Sequence, residues 1–194
     1  DCHGRHSLAN AIEFCRILAP YRPYFIEEPV PPENVEVMAE VRRASPVPIA
    51  TGERLVTRHE FRELIEKQAC HVIQPDLCHC GGLLEAKKIA AMAESWTMGV
   101  APHNPLGPVA NAAALHFDLS TPNFLIQEDM LADVPWRWEV VQHSLRSEGG
   151  YWLPVDVPGL GIEVNEAAAA KHPFRQEIIH AMTVRAADGA ILDW

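Results

Sequence analysis

The sequence contains no run of the ~18 consecutive apolar residues that a membrane span requires, and its first residues, Asp1-Cys2-His3-Gly4-Arg5, offer no hydrophobic signal region. No membrane partner is therefore expected. An initiator methionine is also missing, which leads us to expect a fragment or a processed chain. Basic residues are scarce: 16 Lys+Arg stand against 26 Asp+Glu, a formal charge of −10. Such a surface repels nucleic-acid phosphates and anionic lipid alike, so no nucleic-acid partner is expected. Cysteine is sparse and odd in number, with five residues, Cys2, Cys15, Cys70, Cys78 and Cys80. In a chain large enough to fold without staples this favours a reduced, cytoplasmic compartment and no disulfides.

What is present is an ordinary globular composition, 48% hydrophobic and 22% charged over 194 residues, which supports a packed core and argues against disorder. The length suits one domain, or a large part of a single (β/α)8 barrel, which usually needs ~250 residues. Short β-rich runs alternate with longer amphipathic stretches, the pattern of successive strand-then-helix units. The spacing predicts strands at 24–26, 47–50, 71–74, 98–101 and 124–127, and helices near 8–19, 33–44, 58–68, 83–95 and 108–117. Thr57-Arg58-His59-Glu60 reads as a capping box with Thr57 as the cap. After residue 128 the period breaks into turn-rich sequence, Val134–Trp138 and Leu153–Gly161, expected to wrap the exterior or the rim. A short helix over Ala167–Ala170 and His172 is expected to precede an irregular end.

A polar residue follows each apolar strand run: Glu27, Glu53, Asp76, His103 and Glu128, with Asp1 one unit earlier. The intervals are 26, 26, 23, 27 and 25 residues. Each interval is one βα unit, so the six side chains should share one end of six neighbouring strands. Strand C-termini at a barrel mouth are where catalytic groups project. An open doubly wound sheet would instead spread the tips along a line, and we expect an α/β fold of the TIM-type (β/α)8 barrel kind.

Three of the tips, Asp1, Glu27 and Glu53, are carboxylates on consecutive strands, a donor set suited to a hard divalent cation such as Mg²⁺. Glu28 points away from Glu27 on an extended strand and is not expected to be a ligand; Pro29 would hold it. A carboxylate at Asp76 can fix the tautomer of His103 on the next tip and raise its basicity, as a general base requires. His3 should share the facing of Asp1 on an extended strand end and overhang the metal from the other side of the ring. One histidine could then abstract a proton while the other donates one.

Taken together, Asp1-Cys2-His3-Gly4-Arg5, Phe25-Ile26-Glu27-Glu28-Pro29-Val30, Gly52-Glu53-Arg54, Gln74-Pro75-Asp76, Ala101-Pro102-His103 and Gln127-Glu128 resemble the enolase superfamily, mandelate-racemase-like subgroup. Within it they look like the sugar-acid dehydratases, galactonate- and mannonate-dehydratase-like. The resemblance covers nearly the whole chain. It implies a Mg²⁺ site at Asp1, Glu27 and Glu53, a His103–Asp76 base, an acid at His3, and an electrophilic carboxyl at Glu128. The implied reaction removes the α-proton of a sugar acid, a hexonate such as D-galactonate, and expels the C3 hydroxyl to give a 2-keto-3-deoxy acid. It also implies that residues 1–194 run from the third strand end through the eighth strand and the tail. The first two βα units and the capping domain would lie outside the chain, and the full-length protein would be a homo-oligomer. Cys2, Asn104 and Cys78-His79-Cys80 depart from the spelling of the closest relatives, though none is an assigned catalytic group. Alternatives within the superfamily are a D-mannonate dehydratase, a racemase or cycloisomerase, and an inactive relative. Outside it, Cys70, His71, Cys78, His79 and Cys80 could form a structural Zn²⁺ site in a binding module, although no second Cys pair follows at finger-like spacing.

Overall fold

The computed structural model describes residues 1–130 and 134–176. Each helix forms where the sequence supplies a start, a buried stripe and a stop. Helix α1, Leu8–Leu18, begins at Ser7, whose hydroxyl accepts from the amide of Asn10, and buries Ala11 and Cys15. Asn34 caps α2, Val35–Ala44, by accepting from Val37 N at 3.1 Å, while Glu36 in the first turn and Arg42 and Arg43 in the last complement the helix dipole. Helix α3 spans Thr57–Glu66, α4 Leu83–Ser95, and α5 Pro108–Leu119 with proline at its first turn.

The cap of α3 differs from the expected box by one residue. Val56 is the capping position, and its backbone N–H donates to the Glu60 carboxylate at 2.6 Å. Thr57 has a left-handed φ of 58° and donates its own amide to Cys80 O, while its hydroxyl accepts from His59 N at 3.4 Å rather than from Glu60 N as the box requires. The carboxylate half of the box survives because Glu60 reaches back to whichever amide the tertiary turn presents.

Four short strands, β1 (Ile26–Glu27), β2 (Ile49–Thr51), β3 (Val72–Ile73) and β4 (Gly99–Val100), form a parallel sheet in the order in which they occur in the chain. The register aligns Glu27 with Ala50, Ala50 with Val72 and Val72 with Gly99. At one edge Cys2 N and Gly4 N donate to Glu27 O and Glu28 O; at the other Phe124 bridges Val100 in parallel. The run at 124–127 is thus a single bridge rather than a full strand, paired on one side only among the described residues, with Leu125 and Ile126 exposed.

Burial distinguishes the two sheet architectures. Ile26, Ile49, Ile73 and Val100 pack with Met38, Val41, Phe61, Ile65 and Ile89 from the helices into one large core. The opposite face carries a separate cluster, Ala50, Val72, Ala101 and the partly buried Phe25, to which no helix contributes. Among the described residues helices therefore cover one face alone, as around a barrel, whereas a doubly wound sheet is covered on both.

Beyond residue 134 the chain makes two small antiparallel ribbons, β5 (Val141–His143) with β8 (Ile162–Val164), and β6 (Ser147–Glu148) with β7 (Tyr151–Trp152). Gly149 and Gly150 turn the second ribbon with φ of 57° and 84°, which a tight hairpin demands. The tail packs on α5, where Ala112 and Leu115 meet Leu145, Trp138 and Trp152. The closing helix α6, Glu166–Ala169, is capped by Asn165; the expected irregular end, from 177 onward, lies outside the described residues. No helix among the described residues is long and apolar enough to cross a membrane.

Candidate active site

The strand tips come together at one end of the sheet. Asp76 leaves β3 two residues beyond Gln74, and its Oδ1 accepts from Cys78 N at 2.7 Å and His79 N at 3.2 Å. Its Oδ2 meets His103 Nδ1 at 2.9 Å. With Nδ1 directed at a carboxylate, Nε2 is the free ring position, and it faces Glu53 Oε2 at 3.4 Å. Burial disfavours the charged imidazole, but the Asp76 hydrogen bond and the charges of Glu53 and Glu128 outweigh it and raise His103 above the ordinary histidine value. Asp76 is only 1% exposed; burial pushes its carboxyl up, and the bonds from His103 and Cys78 more than reverse this, leaving it below its usual value.

Asp1 and His3 do not lie on an extended strand end as expected. His3 has φ 48° and Gly4 φ 66°, a turn in which Asp1 Oδ1 accepts from His3 N at 2.8 Å and Oδ2 pairs with His3 Nε2 at 2.5 Å. The carboxylate thus ties down its own neighbour's ring, which an extended segment could not do. Among the described residues, ligand atoms of Asp1, His3 and Glu53 all lie within 4.8 Å of one another. Glu27 stands outside that trio but interacts with Glu53 and Gln74; burial raises its carboxyl, the Gln74 hydrogen bond opposes this, and Glu53 and Glu128 add to the rise.

Glu128 Oε2 accepts from the backbone of Asn104 at 2.8 Å, so the last tip is joined to the residue after His103. The residues Asp1, His3, Glu27, Glu53, Asp76, His103 and Glu128 therefore form one connected group. Two neighbours adjoin this group: Glu28, which the sequence set beside the site and not among its ligands, and Arg54, to which it assigned no role. Glu28 is fully buried, at φ 39°, with burial and then Glu53 pushing its carboxyl up to about 8. Arg54, rather than Pro29, holds it, with Nε 3.0 Å from Glu28 Oε1; Arg54 also donates to His3 O at 3.2 Å. A lone arginine directly after an acidic tip was the available signal.

The zinc alternative fails on the cysteines. Cys70 and Cys80 lie in the apolar core, and burial pushes their thiols up to about 12 and about 11, the reverse of the thiolate a zinc site needs. His71 Nδ1 accepts from Ile49 N at 3.0 Å and serves the sheet.

One-sided helical cover and tips gathered at the strand C-termini define a TIM-type barrel with a mouth of acid and imidazole groups. The family model for enolase C-terminal domain-like proteins matches residues 1–168, and the chain belongs to that family. D-galactonate dehydratase of Cronobacter sakazakii (strain ATCC BAA-894) is 39% identical over 200 residues, spanning 100% of this chain and 52% of that protein. D-galactonate dehydratase of Ralstonia pickettii (strain 12J) is 38% identical over the same shares. The chain spans about half the length of the curated relatives it matches. The solved mandelate racemase/muconate lactonizing enzyme-like protein from Roseovarius sp. TM1035 superposes with a TM-score of 0.85 at 45% identity, covering 90% of this chain and 43% of that one. Mandelate racemase/muconate lactonizing enzyme from Jannaschia sp. CCS1 gives 0.86 at 37% identity, with 93% and 46% covered.

Proposed function

We propose that the protein is a hydro-lyase that dehydrates a sugar acid, a hexonate such as D-galactonate, to a 2-keto-3-deoxy acid. The observation that carries the reading is that one carboxylate, Glu53, lies close to two histidines: His103 Nε2 at 3.4 Å, and His3 within the 4.8 Å group. Elimination of water across C2 and C3 needs a base and an acid at one substrate, and this arrangement supplies both. Similarity to the D-galactonate dehydratases supports the substrate class.

The donor set fits a hard divalent cation. Glu53 Oε2 is buried without a hydrogen-bond donor among the described residues, and burial together with the neighbouring Glu53 raises the cost of ionising Glu27. Asp1, Glu27 and Glu53 would hold Mg²⁺, with His3 close by, and the ion would supply a Lewis acid toward the substrate carboxylate. The protein's own groups then divide the work. His103, oriented by Asp76, takes the α-proton on Nε2. Glu128 hydrogen-bonds a carboxylate oxygen as charge builds there. His3 delivers a proton to the departing C3 hydroxyl, held by Asp1 so that its ring faces the site.

On this reading Asp1 would take the third strand end of the barrel and Glu128 the tip of the eighth, as the resemblance to the family implies. The test is a screen of hexonic acids with the intact protein and Mg²⁺, read by appearance of 2-keto-3-deoxy acid. Turnover of D-galactonate is the expected result. Racemisation of an acid with no keto product would replace the reading with a racemase.

A further inference from the structure

Asn111 occupies the first half of α5, 5% exposed, where an amide side chain is a poor helix former and a poor core residue. Its hydrogen bonds explain its presence. Oδ1 accepts from Asn104 Nδ2 at 2.7 Å and from Arg137 Nη2 at 3.2 Å, and Nδ2 donates to Asp129 Oδ1 at 2.6 Å. Arginine can only donate and a carboxylate only accept, so the orientation of the amide is fixed by its partners.

Asn104 and Asp129 each directly follow a residue of the site, His103 and Glu128. Those two neighbours are themselves joined, since Asn104 N donates to Glu128 Oε2 at 2.8 Å. The bonds close a ring: Glu128 to the Asn104 backbone, the Asn104 side chain to Asn111, Asn111 to Asp129, and Asp129 through one peptide back to Glu128. The tail braces this ring from outside. Trp152 Nε1 in β7 donates to Asp129 Oδ2 at 2.6 Å, and Arg137, 2% exposed, bonds the Leu106 carbonyl as well as Asn111.

We propose that Asn111 is a positioning residue that sets His103 and Glu128 relative to each other, and that Arg137 and Trp152 make the tail part of the scaffold of the active site. Neither Asn111 nor the tail residues touch the reacting atoms; they act through Asn104 and Asp129. The bonds of the buried Asn111 and Asn104 amides favour one geometry, because another arrangement would leave the donors and acceptors they join unpaired.

The kinetic part of the test rests on the dehydratase reading, and a second part does not. Asn111→Asp in the intact protein places two carboxylates against each other and opens the ring. The reciprocal double variant, Asn111→Asp with Asp129→Asn, restores it: the amide now at 129 donates to the carboxylate at 111 and still accepts from Trp152. For Asn111→Asp we expect kcat on D-galactonate to fall about 100-fold with KM changed less than about threefold. The double variant should recover kcat to within about fivefold of the parent. Protection of the Asn104 amide against hydrogen exchange should fall about tenfold or more in the single variant and return in the double.

If Asn111→Asp does not fold, Trp152→Phe supplies the kinetic comparison. It keeps a ring beside Trp138, whose centroid lies 6.2 Å away, and removes only the donor to Asp129; a fall in kcat of about fivefold is expected. A double variant as impaired as the single, or full kcat in Trp152→Phe, overturns the proposal. So does equal protection of the Asn104 amide in all folded variants. If the unmodified protein dehydrates no hexonate, the substrate reading falls while amide exchange still decides the role of Asn111.

Discussion

His103 stands between Asp76 at 2.9 Å and Glu53 at 3.4 Å, two carboxylates with different duties. One orients Nδ1; the other marks where a proton acceptor meets the acidic mouth. If Nε2 removes the α-proton, His103→Asn abolishes exchange of that proton with solvent deuterium, measured by NMR of the hexonate. His3→Asn blocks formation of the keto product yet leaves exchange intact, because proton loss precedes hydroxyl loss. Exchange that survives in His103→Asn moves the base to another residue. At this scale the sequence was most informative about the tips, whose unit-length spacing needs only chain order. It was least informative about what holds them. The turn at His3, the Arg54 contact with Glu28 and the bonds of Asn111 depend on which loops meet in space, and neither periodicity nor motif spelling encodes that.

Among the elements, α4 lies at 83–95 as its apolar pattern predicts, whereas strands are shorter than their β-rich runs and Phe124 contributes one bridge. Pairing, not propensity, decides strand length. The end of β2 shows what such pairing demands. Gly52 has φ 138°, and a Cβ there would lie 2.9 Å from Phe61 Cε1 and 3.0 Å from Gln74 N. Gly52→Ala is expected to destabilise by about 2–3 kcal/mol, a loss of about 5–10 °C in a thermal melt. An unchanged melting temperature would show that this approach is not required. At the opposite end of β3, His71 accepts the Ile49 amide, and burial, aided by Arg42, holds its imidazole below the ordinary value. The unfolded chain then binds the proton more readily, so stability is complete above about pH 6.5 and is lost as the pH falls below it. His71→Asn keeps an acceptor for Ile49 without a titrating ring, and should flatten the decline in melting temperature between about pH 7.5 and about pH 5.5. Equal declines in variant and parent would locate the dependence elsewhere.

For the whole molecule, the formal charge is −10, and Asp1, Glu27 and Glu53 bring carboxyl groups to one site, beside which Arg54 pairs with Glu28. A divalent ion bound to the folded state alone stabilises it by mass action, about 2.7 kcal/mol at a hundredfold excess over Kd. Melts in Mg²⁺ and in EDTA should therefore differ by several degrees, with the Mg²⁺ sample the more stable; superimposable melts argue against an ion at these carboxylates. The sheet order also has a kinetic meaning. Because β1 to β4 lie side by side in the order of the chain, each unit, as it leaves the ribosome, meets a neighbour that has already emerged. Assembly can proceed along the polypeptide without waiting for a distant segment, and His3 and His103, 100 positions apart, are brought to one site by a succession of short closures rather than one long one.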